Sequence, residues 1–297
     1  MSRIEADNAS PAAPLSPEAA LKPARSGGSP SRRRVVEYAL IALALLYAAG
    51  LLVGPLVTIL WSALGEGAAG FIRQVTSADA LASLKLTLIL AVAATAINTA
   101  FGMCVAWVLV RDDFRGKRIV NGLVDAPFAV SPVIAGFMLI LLFGRNGWLT
   151  PAIDALGVKV VFALPGMLLA TIFISLPFVI REVMPVLAQV SADQESAAYT
   201  MGASRLQTFR RVTLPAIKWG LFYGVSLTFA RAVGEIGAVL VVSGGVSRLT
   251  ETSTLFIFRS LDDRNYVGAN AMAVVLAAIS FVVLMVIESL KKRTEES

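Results

Sequence analysis

The sequence predicts an all-α integral membrane protein with six transmembrane helices and both termini in the cytoplasm. Hydrophobic residues make up 57% of its 297 residues and charged residues only 15%, which is not typical of a soluble globular protein. Six apolar runs each reach about twenty residues, enough for a helix to cross a hydrocarbon core of about 30 Å. Lys and Arg favour the connections on one side by about threefold, and that side holds both termini.

The apolar runs divide the chain in order. Residues 1–34 are rich in Ala, Pro, Ser and Arg without apolar periodicity, which predicts a disordered cytoplasmic tail. We expect the first transmembrane helix within 35–62, a five-helix transmembrane core within 81–290, and a second cytoplasmic tail at 291–297. The six predicted spans are Tyr38–Trp61, Leu86–Val110, Ile119–Phe143, Val160–Ile180, Trp219–Val242 and Val267–Ile287.

Composition also excludes several kinds of chemistry. The chain has no histidine and a single cysteine, Cys104, which excludes histidine-based catalysis and HExxH zinc sites. It contains no G-x-x-x-x-G-K-[S/T] phosphate loop, so we expect a non-catalytic protein with no cofactor and no metal of its own. The basic residues behind the net charge of +6 flank apolar runs, which predicts a lipid membrane, and not nucleic acid, as the partner.

One long segment, residues 191–217, is neither a span nor a short connection. Its small residues Ala197, Ala198 and Gly202 would permit close approach of another protein surface. We expect Leu214-Pro215 to end this segment, because proline lacks an amide proton and disfavours helix at the preceding residue. The alternative is an amphipathic helix that lies on the lipid headgroups.

Two groups of polar residues lie inside predicted spans, where an unpaired charge is unfavourable. Arg231 and Glu235 are four apart in the fifth span, which predicts one face of one helix. Asp125, Ser131 and Pro132 lie in the third span, where proline interrupts the helical hydrogen bonds. These five residues could line a pathway for a small oxyanion. Alternatively, Arg231 could pair with Glu235 or Asp125 as a structural lock, and the sequence leaves both hypotheses open.

Several motifs carry a family resemblance. The run from Ser196 to Gly202, followed after nine residues by Val212-Thr-Leu-Pro215, resembles the E-A-A-x3-G-x9-I-x-L-P signature of ABC-importer permeases. Ser196 stands where that family usually has Glu, and Glu195 comes one residue early. The blocks similar to sulfate/thiosulfate permeases of the CysW type are Asp125–Gly136, Leu176–Pro185, Arg210–Pro215 and Ala230–Ala238. Molybdate/tungstate permeases have relatives of the last block.

This resemblance implies a type I ABC-importer permease fold. Its five-helix core would pack against a second permease subunit, a distinct T-type chain, with the first span draped onto that partner. An ATP-binding subunit dimer would bind ATP and receive segment 191–217, and a periplasmic sulfate-binding protein would deliver the anion. The residues implied to couple to the ATPase are Glu195, Ser196, Ala197, Ala198, Gly202, Leu214 and Pro215.

The implied function is ATP-driven import of sulfate or thiosulfate across the bacterial inner membrane. A molybdate/tungstate ABC permease is the near alternative, differing only in the anion. A stand-alone anion channel or secondary transporter is an alternative from another class, but it would need no segment that docks on an ATPase. An intramembrane enzyme would need a nucleophile with a base or metal ligands, and the composition offers little to build one.

Overall fold

The structure, a computed structural model, describes residues 30–295, and among these residues there is no β-strand. The helices are α1 (Pro30–Ala63), α2 (Gly67–Val75), α3 (Ala78–Arg111), α4 (Lys117–Ala129), α5 (Pro132–Phe143), α6 (Thr150–Ala155), α7 (Leu164–Gln189), α8 (Ala192–Thr200), α9 (Arg205–Thr208), a π-helical segment (Phe209–Thr213), α10 (Leu214–Val233), α11 (Gly237–Val242), α12 (Ser253–Asp262) and α13 (Tyr266–Glu295). The all-α prediction is therefore confirmed.

The chain divides into two units, Met1–Gly54 and Pro55–Ser297. The described part of the first unit is the N-terminal portion of α1, whose large apolar side chains, such as Tyr38 and Leu46, are exposed. The predicted disordered tail lies outside the described residues up to residue 29, and α1 begins at Pro30, within the segment predicted as tail. The last two residues of the second predicted tail also lie outside the described residues.

Four single helices in the described residues are long and apolar enough to cross a membrane. They are Val36–Ala63, Ala78–Arg111, Leu164–Gln189 and Tyr266–Val286, and they correspond to the predicted first, second, fourth and sixth spans. The pair α4 and α5 supplies a fifth candidate if the bent pair is one span. The count of six spans and the orientation of the termini remain predictions.

The predicted third span, Ile119–Phe143, is two helices and not one continuous helix. The axes of α4 and α5 differ in direction by 111°, and the break falls at Val130 and Ser131. Ser131 has φ −58° and ψ 137°, an extended conformation, because the residue before a proline is disfavoured in the α region. Pro132 then starts α5, where its missing N–H is no loss.

The predicted fifth span, Trp219–Val242, is also broken. Helix α10 ends at Val233, three residues intervene, and α11 starts at Gly237. The two breaks lie together, because α11 packs against α5 with little space between the backbones. A Cβ atom added to Gly237 would lie 2.7 Å from Pro132 Cβ, and one added to Gly136 would lie 2.6 Å from the Ala238 carbonyl oxygen. Glycine at both positions therefore allows the contact.

Helices α3, α7 and α10 form the centre of the second unit, with two apolar clusters between them and the shorter helices. One cluster joins α3, α5, α7, α11 and α12 through Leu90, Ala135, Met167, Ala170, Ile174, Ala238, Val239, Val242 and Leu255. The other joins α3, α4, α7 and α10 through Ala106, Leu109, Val124, Val179, Ile180, Val183, Leu187 and Ile217. Helix α7 lies in both clusters, so it is the element on which the two broken spans are held.

The expectation that Leu214-Pro215 ends segment 191–217 is wrong. Helix α9, the π-helical segment and α10 follow one another without a break, and Leu214 is α-helical with φ −61° and ψ −42°. Pro215 lies in the first turn of α10, where a missing amide proton is tolerated. The wider turns of the preceding π segment change the hydrogen-bond register at the point where Pro215 cannot donate.

We predict that Gly136→Ala destabilises the protein by about 1–3 kcal/mol, the usual range for overpacking. The added methyl group would meet the backbone of α11, which cannot rotate away as a side chain could. Gly122→Ala in α4 is the matched control, because nothing lies within 4 Å of its added Cβ atom. Thermal unfolding midpoints of the purified proteins decide the point, and equal midpoints for the two variants would contradict the close α5–α11 contact.

Candidate translocation site and cytoplasmic docking surface

Arg231 and Glu235 form an ion pair across the break between α10 and α11. Arg231 Nη1 lies 2.7 Å from Glu235 Oε2, and the side chains are 30% and 2% exposed. The prediction that both residues share one helix face is wrong, because α10 ends at Val233. The pair still closes because the turn after Val233 brings the carboxylate back toward the end of α10.

Glu235 has two further contacts that fix the break. Its Oε1 accepts a hydrogen bond of 2.8 Å from the Ala238 amide in the first turn of α11. Its backbone carbonyl accepts a hydrogen bond of 2.7 Å from the Thr254 hydroxyl. A buried carboxylate is therefore neutralised by a guanidinium and placed at the positive end of a short helix.

Asp125 pairs with Arg181 of α7, and not with Arg231. Arg181 Nε donates to Asp125 Oδ1 at 2.7 Å, and Arg181 Nη2 donates to Asp125 Oδ2 at 2.6 Å. The same guanidinium donates to the side-chain and backbone oxygens of Asn121. This bidentate pair joins α4 to α7 before the bend between α4 and α5. Asp125 therefore belongs to a polar contact separate from the Arg231–Glu235 pair.

Ser131 and Pro132 lie at the start of α5, beside the start of α11. Ser131 is exposed, and its hydroxyl makes no capping hydrogen bond among the residues the structure describes. The packing of Pro132 against Gly237 places both residues next to the break that contains Glu235. The five predicted pathway residues thus separate into Ser131, Pro132, Arg231 and Glu235 at two adjacent helix breaks, and Asp125 elsewhere.

A hydroxyl-rich run after α11 completes this region, although its hydroxyls were not predicted as site residues. All residues from Thr250 to Thr254 are buried. The Ser253 amide donates to Thr87 Oγ1 of α3 at 2.7 Å, and Arg259 Nε lies 2.7 Å from Glu251 Oε1. The signal in the sequence was the unusual run Thr-Glu-Thr-Ser-Thr between two apolar segments. The pairing of Arg181 with Asp125 was also not predicted.

Segment 191–217 presents an exposed face near its turn. In α8, Ser196 and Ala197 are exposed, whereas Glu195 and Ala198 are buried. After α8, Met201 is 82% exposed, and Leu206 of α9 is 65% exposed. Two large apolar side chains exposed beside small residues are typical of a surface that another protein covers.

Gly202 is required by the backbone between α8 and α9. Its φ is +84°, a left-handed conformation that residues with a Cβ atom rarely adopt. The Gly202 amide donates to the Tyr199 carbonyl and the Ala203 amide donates to the Ala198 carbonyl, which is the Schellman pattern. Nothing lies within 4 Å of an added Cβ atom, so this position is open to an approaching surface.

Comparison with known proteins agrees with this architecture. Residues 98–296 match the family of binding-protein-dependent transport system inner membrane components. The chain is 46% identical to the sulfate transport system permease protein CysW of Synechocystis sp. over 87% of this chain and 94% of that one. It is 39% identical to the permease protein CysT of Salmonella typhimurium over 74% and 79% of the two chains.

A solved structure shares the fold. A chain from a bacterial alginate ABC transporter, in complex with an alginate pentasaccharide-bound periplasmic protein, matches with a TM-score of 0.74 at 16% identity. The match covers 89% of this chain and 96% of that one. The chain therefore has the fold of an ABC-importer permease. The chain belongs to the family of binding-protein-dependent transport system inner membrane components, in its CysW-type group.

The sequence predicts no metal site, and the side chains that could form one here are acidic and thiol groups. No group of three or more Cys, Asp or Glu side chains that could hold a metal ion occurs between residues 30 and 295. The carboxylate of Glu235 at the helix breaks and the carboxylate of Asp125, which lies elsewhere, are each engaged by an arginine.

We predict a pH-dependent contribution to stability from Glu251, which lies in the loop before α12, outside the predicted spans. Burial raises the pKa of Glu251 above its ordinary value of 4.5, although Arg259 opposes the shift. A raised carboxyl pKa means that the folded state binds the proton more tightly, so this contribution is largest below pH 4.5 and is lost as pH rises through the folded-state pKa.

Thermal unfolding across this pH range should therefore show a loss in the wild type that Glu251→Gln lacks. Asp113→Asn is the control of opposite sign, because the hydrogen bond from Lys117 lowers the Asp113 pKa. The Asp113 contribution is present above its ordinary value of 3.8 and is lost as pH falls. Parallel curves for the wild type and Glu251→Gln would contradict the assignment.

Proposed function

We propose that this chain is the transmembrane permease subunit of an ATP-driven importer that moves sulfate or thiosulfate across the bacterial inner membrane. The observation that carries this proposal is the 46% identity to a sulfate permease over nearly the whole of both chains. The Arg231–Glu235 pair across one of two adjacent helix breaks and the exposed face of segment 191–217 support it.

The importer needs partners for the steps that this chain does not perform. An ATP-binding subunit dimer binds and hydrolyses ATP, and segment 191–217 docks on it through its exposed residues, with both termini on the same cytoplasmic side. A periplasmic sulfate-binding protein delivers the anion from the other side. The second permease subunit is a T-type chain, since this sequence has a CysW-type relative at higher identity than its CysT relative.

Transport uses the two helix breaks as the anion pathway. Arg231 is partly exposed, whereas Glu235 is buried and keeps a second partner in the Ala238 amide. Arg231 can therefore turn toward a sulfate oxygen while Glu235 stays stabilised by α11. The Ser131 hydroxyl and the start of α5 lie beside the break that contains Glu235 and offer hydrogen-bond donors to the anion.

The deletion of this gene from its host tests the proposal. Uptake of labelled sulfate and thiosulfate should be lost, while uptake of cysteine should continue. Molybdate and tungstate are also tetrahedral dianions, so their uptake is measured in parallel. Loss of molybdate uptake with sulfate uptake intact would leave the permease architecture in place and reject the proposed substrate.

We predict that Arg231→Gln lowers sulfate uptake by at least about tenfold, which corresponds to loss of one hydrogen bond from a charged group. The complex should still assemble in the membrane. Arg73→Gln is the matched control, because Arg73 forms an exposed ion pair with Glu66, and such pairs contribute little. Loss of assembly in Arg231→Gln would instead show that the pair is a structural lock.

We predict that Gly202→Asp loses ATPase-subunit binding, whereas Gly202→Asn keeps most of it. Asp and Asn both tolerate a positive φ and have nearly the same size, so the pair isolates the effect of a negative charge in the docked surface. Binding is measured as the amount of ATPase subunit that co-purifies with each variant, from separate membranes that contain the two variants at equal levels. Undiminished binding by Gly202→Asp would reject the docking face.

A further inference from the structure

The carboxylate nearest the permease signature is turned into the protein. Glu195 is 6% exposed, and its Oε1 lies 2.9 Å from Arg111 Nη2 at the end of α3. The same oxygen accepts a hydrogen bond of 3.0 Å from the Thr213 hydroxyl. Ser196, at the position where the signature usually has Glu, is exposed, and its hydroxyl donates to the Ala192 carbonyl. The acidic side chain is therefore held inside this chain and is not offered to a partner.

Arg111 connects three elements through this contact. The guanidinium also donates to the carbonyl of Val190, the residue directly after α7, at 3.0 Å. Arg111 thus holds the end of α3, the end of α7 and helix α8 at one point. Since the Arg111 and Glu195 side chains are only 15% and 8% exposed, water screens this pair poorly.

Thr213 extends the contact to the helix that carries the candidate transport residue. It is the last residue of the π-helical segment, which continues directly into α10 and toward Arg231. Phe209, the first residue of the same segment, packs edge-on against Trp107 of α3, with ring centroids 5.8 Å apart. Two independent contacts therefore tie α3 to the π segment, and one of them passes through Glu195.

We propose that Arg111 and Glu195 are positioning residues, an internal latch that transmits displacement of helix α8 to α3 and α10. This inference rests on the proposed function and adds a division of labour within segment 191–217. The exposed residues, such as Met201 and Leu206, hold the ATPase subunit, and the buried pair conveys its movement. Glu195 therefore acts through Arg111 and Thr213, without touching the ATPase subunit.

The test uses the whole complex, purified and reconstituted, with Glu195→Gln compared with the wild type. Gln is isosteric and keeps hydrogen bonds but removes the charge that Arg111 needs. ATPase-subunit binding should stay at the wild-type level, while the number of sulfate ions moved per ATP hydrolysed falls by about 5- to 150-fold, the usual range of a coupling between sites. Glu66→Gln, the same substitution in an exposed ion pair with Arg73 outside segment 191–217, is the matched control and should change neither quantity.

A second substitution separates the latch from a direct contact with the ATPase subunit. Ser196→Glu restores an exposed carboxylate at the usual position of the signature. Added to Glu195→Gln, it should leave coupling impaired, because the new carboxylate cannot reach Arg111. Recovery of binding and coupling by Ser196→Glu would overturn the latch and make Glu195 a docking residue.

If Glu195→Gln alone does not assemble, the double variant Arg111→Gln, Glu195→Gln is tested in its place. It removes both buried charges, so no uncompensated charge is left to prevent folding. We expect an assembled but poorly coupled complex, and full coupling would overturn the proposal. If the wild-type chain itself did not bind the ATPase subunit, the proposed function would fail first, and that outcome is seen in the same binding measurement.

Discussion

The carboxylate of Glu235 is the group on which the transmembrane architecture depends. A helix break inside a membrane frees backbone groups that no water can satisfy, so broken spans need partners from the protein itself. Glu235 provides such partners at the break between α10 and α11. Its carboxylate accepts a hydrogen bond from the Ala238 amide and neutralises Arg231, and its backbone carbonyl accepts a hydrogen bond from the Thr254 hydroxyl. The close packing of α11 on α5 then brings the break in the third span to the same place.

Segment 191–217 repeats this design with a different pair. Glu195, like Glu235, is a buried carboxylate that pairs with an arginine. Its Oε1 lies 2.9 Å from Arg111 Nη2 and also accepts a hydrogen bond from the Thr213 hydroxyl of the π-helical segment. In both places the carboxylate lies where one helical element gives way to another. Helix α10 and its π-helical extension connect the two pairs, so one continuous helical element runs from segment 191–217 to the break that contains Glu235.

Hydropathy and charge predicted the long transmembrane helices, but they did not predict the contacts that form at the helix breaks. The four long helices follow from apolar length alone, and the bend at Ser131 follows from Pro132. Pro215 does not end the helix, because the π-helical segment before it changes the hydrogen-bond register where Pro215 lacks an N–H. The local sequence does not reveal such a change of register. Arg181 was not predicted to pair with Asp125 because the partners are 56 residues apart and meet only when α4 packs on α7.

Uptake by the reconstituted complex tests the central claim most directly. Vesicles that contain this chain, a T-type permease and the ATPase subunits are supplied with the sulfate-binding protein on one side and ATP on the other. We expect accumulation of labelled sulfate that requires ATP, is blocked by thiosulfate, and persists in excess molybdate and tungstate. Sulfate flux that continues without ATP would contradict it, because a channel or a secondary transporter would then explain the chain better.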